Sequence, residues 1–261
     1  MVRGTVPWPK VELVARELAR RYEQDPVRLS FFEAEHWLST PCVVNDRWFV
    51  KIISPQNALV HGLFTGARNL GAFSSGTEGF FERFESPVEM ARHELEATRR
   101  MRRIGLNAPE PIEAFEVENL GVLVLSYLES FDVLDDLPES KIREVTPALF
   151  ESLARMHEND LAHGDLRGEN VLVLDGEIFF IDATAVSEEG IEEARAYDLA
   201  SALAVLEPNI GASDAVGRAV DEYGTAEVVE AVDFLDFVNI RPDHDFDAAA
   251  VKGEVTKAAS N

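Results

Sequence analysis

Apolar residues recur along this chain in two rhythms, and the places where one gives way to the other mark its elements. From Lys10 to Glu23 they fall at Val11, Val14, Ala15, Leu18, Ala19 and Tyr22, which is helical spacing, with Arg16, Arg20 and Arg21 on the other side. Val27 to Ala34 and Pro41 to Ile53 then read as three strands, with Asn45-Asp46 turning the second into the third. Pro87 opens a second helix through Met101, ended by Gly105, whose inward stripe is Met90, Leu95, Ala97, Thr98 and Met101. Pro109 to Glu118 and Val122 to Leu128 read as a hairpin turned at Asn119-Leu120-Gly121. After an acidic linker, a helix runs from about Ser140 to Asn159 with Leu149, Leu153 and Met156 as its core. Helices over Glu192 to Leu206 and Asp214 to Asn239 follow, and the polar tail from Asp243 is expected to fray.

Two places break these rhythms in a way that suggests chemistry. The first is His163-Gly164-Asp165-Leu166-Arg167-Gly168-Glu169-Asn170, followed by the apolar run Val171-Leu172-Val173 and then by Phe179-Phe180-Ile181-Asp182. An acid at the mouth of a buried hairpin sits on a rigid scaffold with its head reachable. Asn170 and Asp182 supply oxygen ligands for a hard cation, and Asp165 supplies a carboxylate free to orient a hydroxyl. The second is Lys51, inside Trp48-Phe49-Val50-Lys51-Ile52-Ile53. On an edge it would simply snorkel to solvent; with an acid to hold it, it becomes a fixed cation for nucleotide phosphates. Glu94, at the border of the helix stripe, is the expected partner, and Glu96 is its nearest competitor. His157 and His163 have no partner at metal-ligand spacing and read as scaffold histidines.

Between strand and helix, Ser54 to Ser86 carries Gly62, Gly66, Gly71, Gly76 and Gly79 among Phe64, Phe73, Phe80, Phe81 and Phe84. Such length signals a functional or mobile loop, and its aromatics imply that it packs somewhere. Arg99, Arg100, Arg102 and Arg103 complement the negative end of their helix.

Composition narrows the setting. No apolar run approaches a membrane span and the N-terminus lacks a signal-peptide core, so no membrane partner and a cytoplasmic location are expected. The single cysteine, Cys42, lies in an apolar run and is expected to be buried and inert. Acidic residues number 48 against 24 basic ones, a net charge of −24, and only five of the basic residues are lysine. Molar salt, with a Debye length of ~3 Å, would screen that self-repulsion. The composition resembles that of salt-in halophilic archaea, and it argues against direct binding to a nucleic-acid backbone. An acidic patch recruiting a basic partner is the alternative.

Lys51, Glu94, Asp165, Asn170 and Asp182 stand in the order and approximate spacing of the protein-kinase-like superfamily. Gly105 with Pro109 and Pro111, and Ile181-Asp182-Ala183-Thr184-Ala185-Val186, make the chain resemble the RIO-type atypical kinases most closely over about residues 27 to 207. The KEOPS-associated kinases share His-Gly-Asp-Leu at 163–166. The resemblance implies an α+β, two-lobed protein-kinase-like fold, with a small antiparallel-sheet N-lobe bearing one helix and a mainly helical C-lobe. The expected division is an N-terminal helical extension over 1–26, the N-lobe over 27–128 with the insert at 54–86, the C-lobe over 129–242 and the tail over 243–261.

The same resemblance implies ATP and Mg²⁺ as cofactors and a role as a Ser/Thr protein kinase or ATPase acting in small-subunit ribosome maturation. In that reading Lys51, held by Glu94, fixes the phosphates, Asn170 and Asp182 hold the metal, and Asp165 is catalytic. Backbone groups of Ser126, Tyr127 and Leu128 face the adenine, and Asp198 braces the catalytic loop. Three departures stand out. Glu35-His36-Trp37-Leu38-Ser39-Thr40 replaces a Gly-rich loop, which leaves phosphate to backbone N–H groups and the Ser39 and Thr40 hydroxyls. Gly164 stands where many kinases have an Arg that reads a phosphorylated loop, and Ala183-Thr184 follows the metal Asp without a Gly. A small-molecule kinase, similar to aminoglycoside and choline phosphotransferases in His-Gly-Asp-Leu-x-x-x-Asn, and a nucleotide-binding pseudokinase scaffold are the rival readings.

Overall fold

The computed structural model describes residues 6–32, 39–59, 61, 65, 69, 84–183, 190–239 and 245–260. The chain divides into two compact units: Met1–Ala67, Arg83–Arg100 and Pro109–Glu129 form the first, and Arg68–Glu82, Met101–Ala108 and Ser130–Asn261 the second.

The first unit is a five-stranded antiparallel sheet. It contains β1 (Leu29–Phe31), β2 (Thr40–Val44), β3 (Trp48–Ile53), β4 (Pro111–Val117) and β5 (Leu120–Ser126), in the order β1-β2-β3-β5-β4. Asn45 and Asp46 both take left-handed φ values, 50° and 53°, and the Arg47 N–H closes the turn on the Val44 carbonyl at 3.1 Å. This is the primed geometry that matches strand twist, adopted by residues whose short polar side chains tolerate it.

Strand periodicity gives the sheet two apolar faces. Trp48, Val50 and Ile52 join Cys42, Val44, Val122 and Val124 in one core, against Val11, Val14 and Leu18 of α1 (Trp8–Tyr22). Ile53, Leu123 and Leu125 join Met90, Ala91 and Leu95 of α2 (Pro87–Arg103) on the other, with Phe49 packed against them. Each fully buried Val, Leu or Ile contributes roughly 1.5–3 kcal/mol. α1 therefore packs on the sheet face opposite the one that carries α2.

The turn expected at Asn119-Leu120-Gly121 is made by Glu118-Asn119, beginning one residue earlier. Glu118 takes the left-handed conformation (φ 54°), while Leu120 and Gly121 already belong to β5. Gly121 serves a close approach instead: a Cβ there would meet the Pro87 carbonyl oxygen at 2.1 Å. The start of the insert is ordered where a loop was expected. Residues 55–59 are helical, and the Asn57 side-chain oxygen accepts from the Ser54 N–H at 2.9 Å. Phe84 packs between His61 and His93, at ring-centroid distances of 5.1 and 5.2 Å. Gly62, Phe64, Gly66, Gly71, Phe73, Gly76, Gly79, Phe80 and Phe81 lie outside the described residues, as do Glu35 to Leu38.

The second unit sets a three-stranded antiparallel sheet, β6 (Asp132–Val133), β7 (Val171–Leu174) and β8 (Glu177–Phe180), among helices. β6 arises from the acidic linker. The helices are α3 (Glu139–Glu158), α4 (Ile191–Ile210), α5 (Ala212–Tyr223), α6 (Thr225–Asn239) and α7 (Ala248–Ala259). α4 is buried from Tyr197 to Leu206, and its Tyr197 packs against Phe234 and Phe237 of α6 at 6.2 and 5.5 Å. Gly224, at φ 85°, ends α5 and lets α6 begin at once.

The tail expected to fray forms α7. The Asp247 side chain caps it by accepting the Ala250 N–H at 2.9 Å, and Val251 and Val255, one turn apart, are buried. Among the described residues, no helix is long and apolar enough to cross a membrane.

Candidate functional site

Each unit brings together part of the expected constellation. In the first, alternation along β3 places Lys51 on the α2 face with Phe49 and Ile53. There its Nζ meets the Glu94 Oε1 at 2.9 Å. The Lys51 and Glu94 side chains are only 10 % and 14 % exposed. A cation this deep in an apolar strand needs its acid, so the pair is a specific interaction rather than a surface one. Glu96, the competitor, is exposed and pairs with Arg99 at 3.7 Å. Ser39 is buried just before β2, and Thr40 is its first residue.

The segment expected to meet adenine is partly committed to the sheet. The Ser126 N–H donates to the Glu110 carbonyl at 2.8 Å, its hydroxyl accepts the Glu110 N–H at 2.7 Å, and the Tyr127 N–H donates to the Arg47 carbonyl at 3.0 Å. The N–H groups of Ser126 and Tyr127 are thereby bonded within the unit, while the reading concerned backbone groups from Ser126 to Leu128 in general.

In the second unit, the His163–Asn170 loop and the segment after β8 are tied by a ring of hydrogen bonds. His163 Nε2 donates to the Ile181 carbonyl at 2.9 Å, the Ile181 N–H to the Asn170 carbonyl at 3.1 Å, and Asn170 Nδ2 to the Asp165 carbonyl at 2.8 Å. The Asp165 N–H donates back to His163 Nδ1 at 3.3 Å, which fixes that tautomer. Asp165, Asn170 and Asp182 are thereby brought together on one loop system. Asp182 takes φ 62°, a left-handed conformation that Asp tolerates better than most residues and that recurs at functional positions. Gly164 takes φ 74°, the conformation that glycine adopts freely.

A buried acid holds the loop from behind. Asp198 on α4 is fully buried; its Oδ2 accepts the His163 N–H at 2.6 Å and its Oδ1 the Gly164 N–H at 2.8 Å. His157 Nε2 lies 3.3 Å from the same Oδ2. Both histidines read as scaffold are bonded scaffold.

Two neighbours were missed by sequence reasoning. Arg167 Nη2 lies 3.3 Å from Asp165 Oδ2 and its Nη1 pairs with Glu169, which sets a guanidinium beside the acid assigned to the hydroxyl. Asp135, in the linker, presses on Gly168 so closely that a Cβ there would meet its Oδ1 at 1.6 Å. Alternating acids and bases around Asp165 were a visible signal for the first; for Asp135 there was none.

The donor set fits a hard cation. Asn170 spends its Nδ2 within the loop, so its side-chain oxygen is the atom left for a ligand, and Asp182 adds a carboxylate. Among the described residues, no three His, Cys, Asp or Glu cluster to hold an ion by themselves.

Comparisons with known proteins bear on the fold and on residues 82–197. The RIO domain family matches residues 82–197, a span that includes Glu94, Asp165, Asn170 and Asp182 but not Lys51. The KEOPS complex subunit Bud32 of Pyrococcus abyssi is 27 % identical over 114 residues, 42 % of this chain and 51 % of that protein. The chain thus matches about half the length of that relative. Among solved structures, the GDP and kanamycin complex of APH(2″)-IIia has a TM-score of 0.53 at 10 % identity, covering 95 % of this chain and 97 % of that one. Aminoglycoside-3′-phosphotransferase of type VIII has a TM-score of 0.52 at 15 % identity, covering 87 % and 98 %. At such identities these two likenesses speak for the fold alone. The fold is protein-kinase-like, and over residues 82–197 the chain is similar to the RIO domain family.

Proposed function

We propose that this protein is an ATP-dependent phosphotransferase of RIO type, transferring the γ-phosphate with Mg²⁺ to a protein hydroxyl or to water. The observation that carries the proposal is the Lys51–Glu94 pair at 2.9 Å. Lys51 lies outside the stretch matched to the RIO family, so its clamping by an acid within that stretch is independent support.

Both constellations are assigned to one nucleotide. Lys51, oriented by Glu94, binds the α- and β-phosphates. Leu128 N–H and the carbonyls of Ser126 and Tyr127 meet the adenine edge, and Ser39 and Thr40 approach the phosphates in place of a Gly-rich loop. Asn170 and Asp182 would hold the cation, which would neutralise phosphate charge. Asp165 orients the acceptor hydroxyl and takes its proton as the oxygen attacks. Positioning and charge stabilisation then account for the rate.

The test is turnover of radiolabelled ATP at molar KCl with Mg²⁺, offering protein hydroxyls, small alcohols and water as acceptors. Asp182→Ala should lower turnover at least about a thousandfold with the circular dichroism spectrum unchanged. Undiminished turnover in that variant would overturn the assignment. ATP binding without turnover in the wild type would make the protein a scaffold instead, and transfer to small alcohols alone would make it a small-molecule kinase.

A further inference from the structure

Behind the acceptor loop, the hydrogen-bond chain does not stop at Asp198. The Tyr223 hydroxyl, at the end of α5, lies 3.0 Å from His157 Nδ1. His157 Nε2 faces Asp198 Oδ2 at 3.3 Å, and Asp198 holds the His163 and Gly164 amides at 2.6 and 2.8 Å. Three helices, α3, α4 and α5, are therefore linked in series to the backbone next to Asp165. We propose that Tyr223 is a positioning residue for the His163–Asp165 loop, acting through His157 and Asp198; the functional part of this proposal rests on the phosphotransferase reading.

The direction of the bonds carries the argument. An ionised carboxylate only accepts, so the proton between His157 and Asp198 belongs on Nε2. A neutral imidazole then has a lone pair on Nδ1, and a hydroxyl donating to that atom selects this tautomer. With Nδ1 left empty the other tautomer becomes accessible, and its Nε2 lone pair would face the carboxylate. Burial first, then the nearby Asp198, Glu222 and Glu158 charges, hold the Tyr223 phenol well above its ordinary value, so it remains a donor.

Asp198, with both oxygens already committed to backbone amides, has a fixed position. Loosening its third partner relaxes the carboxylate and with it the two amides. The Tyr223 ring also packs against Phe150 and His157, at centroid distances of 6.5 and 5.7 Å. Tyr223→Phe keeps that packing and removes only the hydroxyl.

The experiment compares the full-length wild type, Tyr223→Phe, and the control Tyr22→Phe, which deletes the hydroxyl bonded to Glu113 at 2.8 Å in the first unit. Long-range ¹H–¹⁵N spectra report the His157 tautomer, and amide exchange reports His163 and Gly164. Tyr223→Phe should mix the tautomers and speed exchange of both amides about tenfold. It should lower kcat about tenfold, as loss of a supporting hydrogen bond does, with KM for ATP within about twofold. The control should change none of these. An unaltered tautomer or unaltered exchange would overturn the relay, and an unaltered kcat beside loosened amides would overturn its functional part. If the wild type has no turnover, the phosphotransferase reading falls, while tautomer and exchange still decide whether Tyr223 holds the loop.

Discussion

The two units fix their chemistry by opposite means. In the first, side chain meets side chain: Lys51 on β3 pairs with Glu94 on α2, and the sheet supplies the rest of the order. In the second, backbone is held by side chains. Asp198, His163 and Asn170 each bond main-chain groups of the loop, so its shape is set several times over. The contrast would suit the proposed function, in which a point charge reaching for phosphate keeps some freedom while an acid orienting a hydroxyl and two metal ligands need fixed positions.

The sharpest way to break the contrast is to remove the second unit's anchor. Asp198→Ala leaves two buried amides without their acceptor and should cost about 3–5 kcal/mol, read from urea unfolding, together with turnover. A loss below 1 kcal/mol would mean that the loop does not depend on this acid. Next comes the first unit's pair. Lys51→Met strands the Glu94 charge and should cost roughly 3 kcal/mol, and adding Glu94→Leu should recover most of that stability. Turnover should stay at least about a hundredfold down in both variants, which separates holding from catalysis. A double variant as active as the wild type would remove Lys51 from the site.

How much of this was legible in the sequence depended on the kind of signal. Lys51 and Glu94 were readable because a lone cation in a period-two strand and an acid at the edge of a helical stripe are exceptions to strong patterns. Asp198 was readable only through family resemblance; as one acid on a helix it carries no mark. Its contact with His157 spans 41 positions and that of His157 with Tyr223 spans 66, and no local pattern encodes such pairings. The α7 helix was missed because its buried face is two valines among alanines, a stripe too weak to outweigh the polar residues around it. Gly121 misled for a different reason: glycine marks close backbone approach as well as turns, and a strand glycine beneath Pro87 is the former.

Two smaller effects extend the comparison to the whole chain. With a net charge of −24, both units should gain stability as KCl is raised from about 0.1 M to about 2 M, measured as a rising unfolding midpoint. A falling midpoint would contradict the reading of the charge as adaptation to salt. Cys42 is buried in the first unit's core, and burial pushes its thiol up to about 12. Between the model-peptide value of 9.0 and that pH, the unfolded chain loses its proton and the folded one keeps it. This contribution to stability is therefore present below pH 9.0 and fades as pH rises toward about 12. At pH 8, thiol labelling should be negligible when folded and rapid in urea, with Cys42→Ser as the blank; fast labelling of the folded protein would show the core to be open.

Whether both constellations serve one nucleotide is tested most directly by lysine side-chain NMR in the presence of ATP and Mn²⁺, the paramagnetic stand-in for Mg²⁺. If one Mn²⁺–ATP engages both Lys51 and Asp182, as proposed, the Lys51 ε-methylene signal should broaden away at one equivalent and persist in Asp182→Asn. A Lys51 signal that survives saturating Mn²⁺–ATP in the wild type would contradict the account.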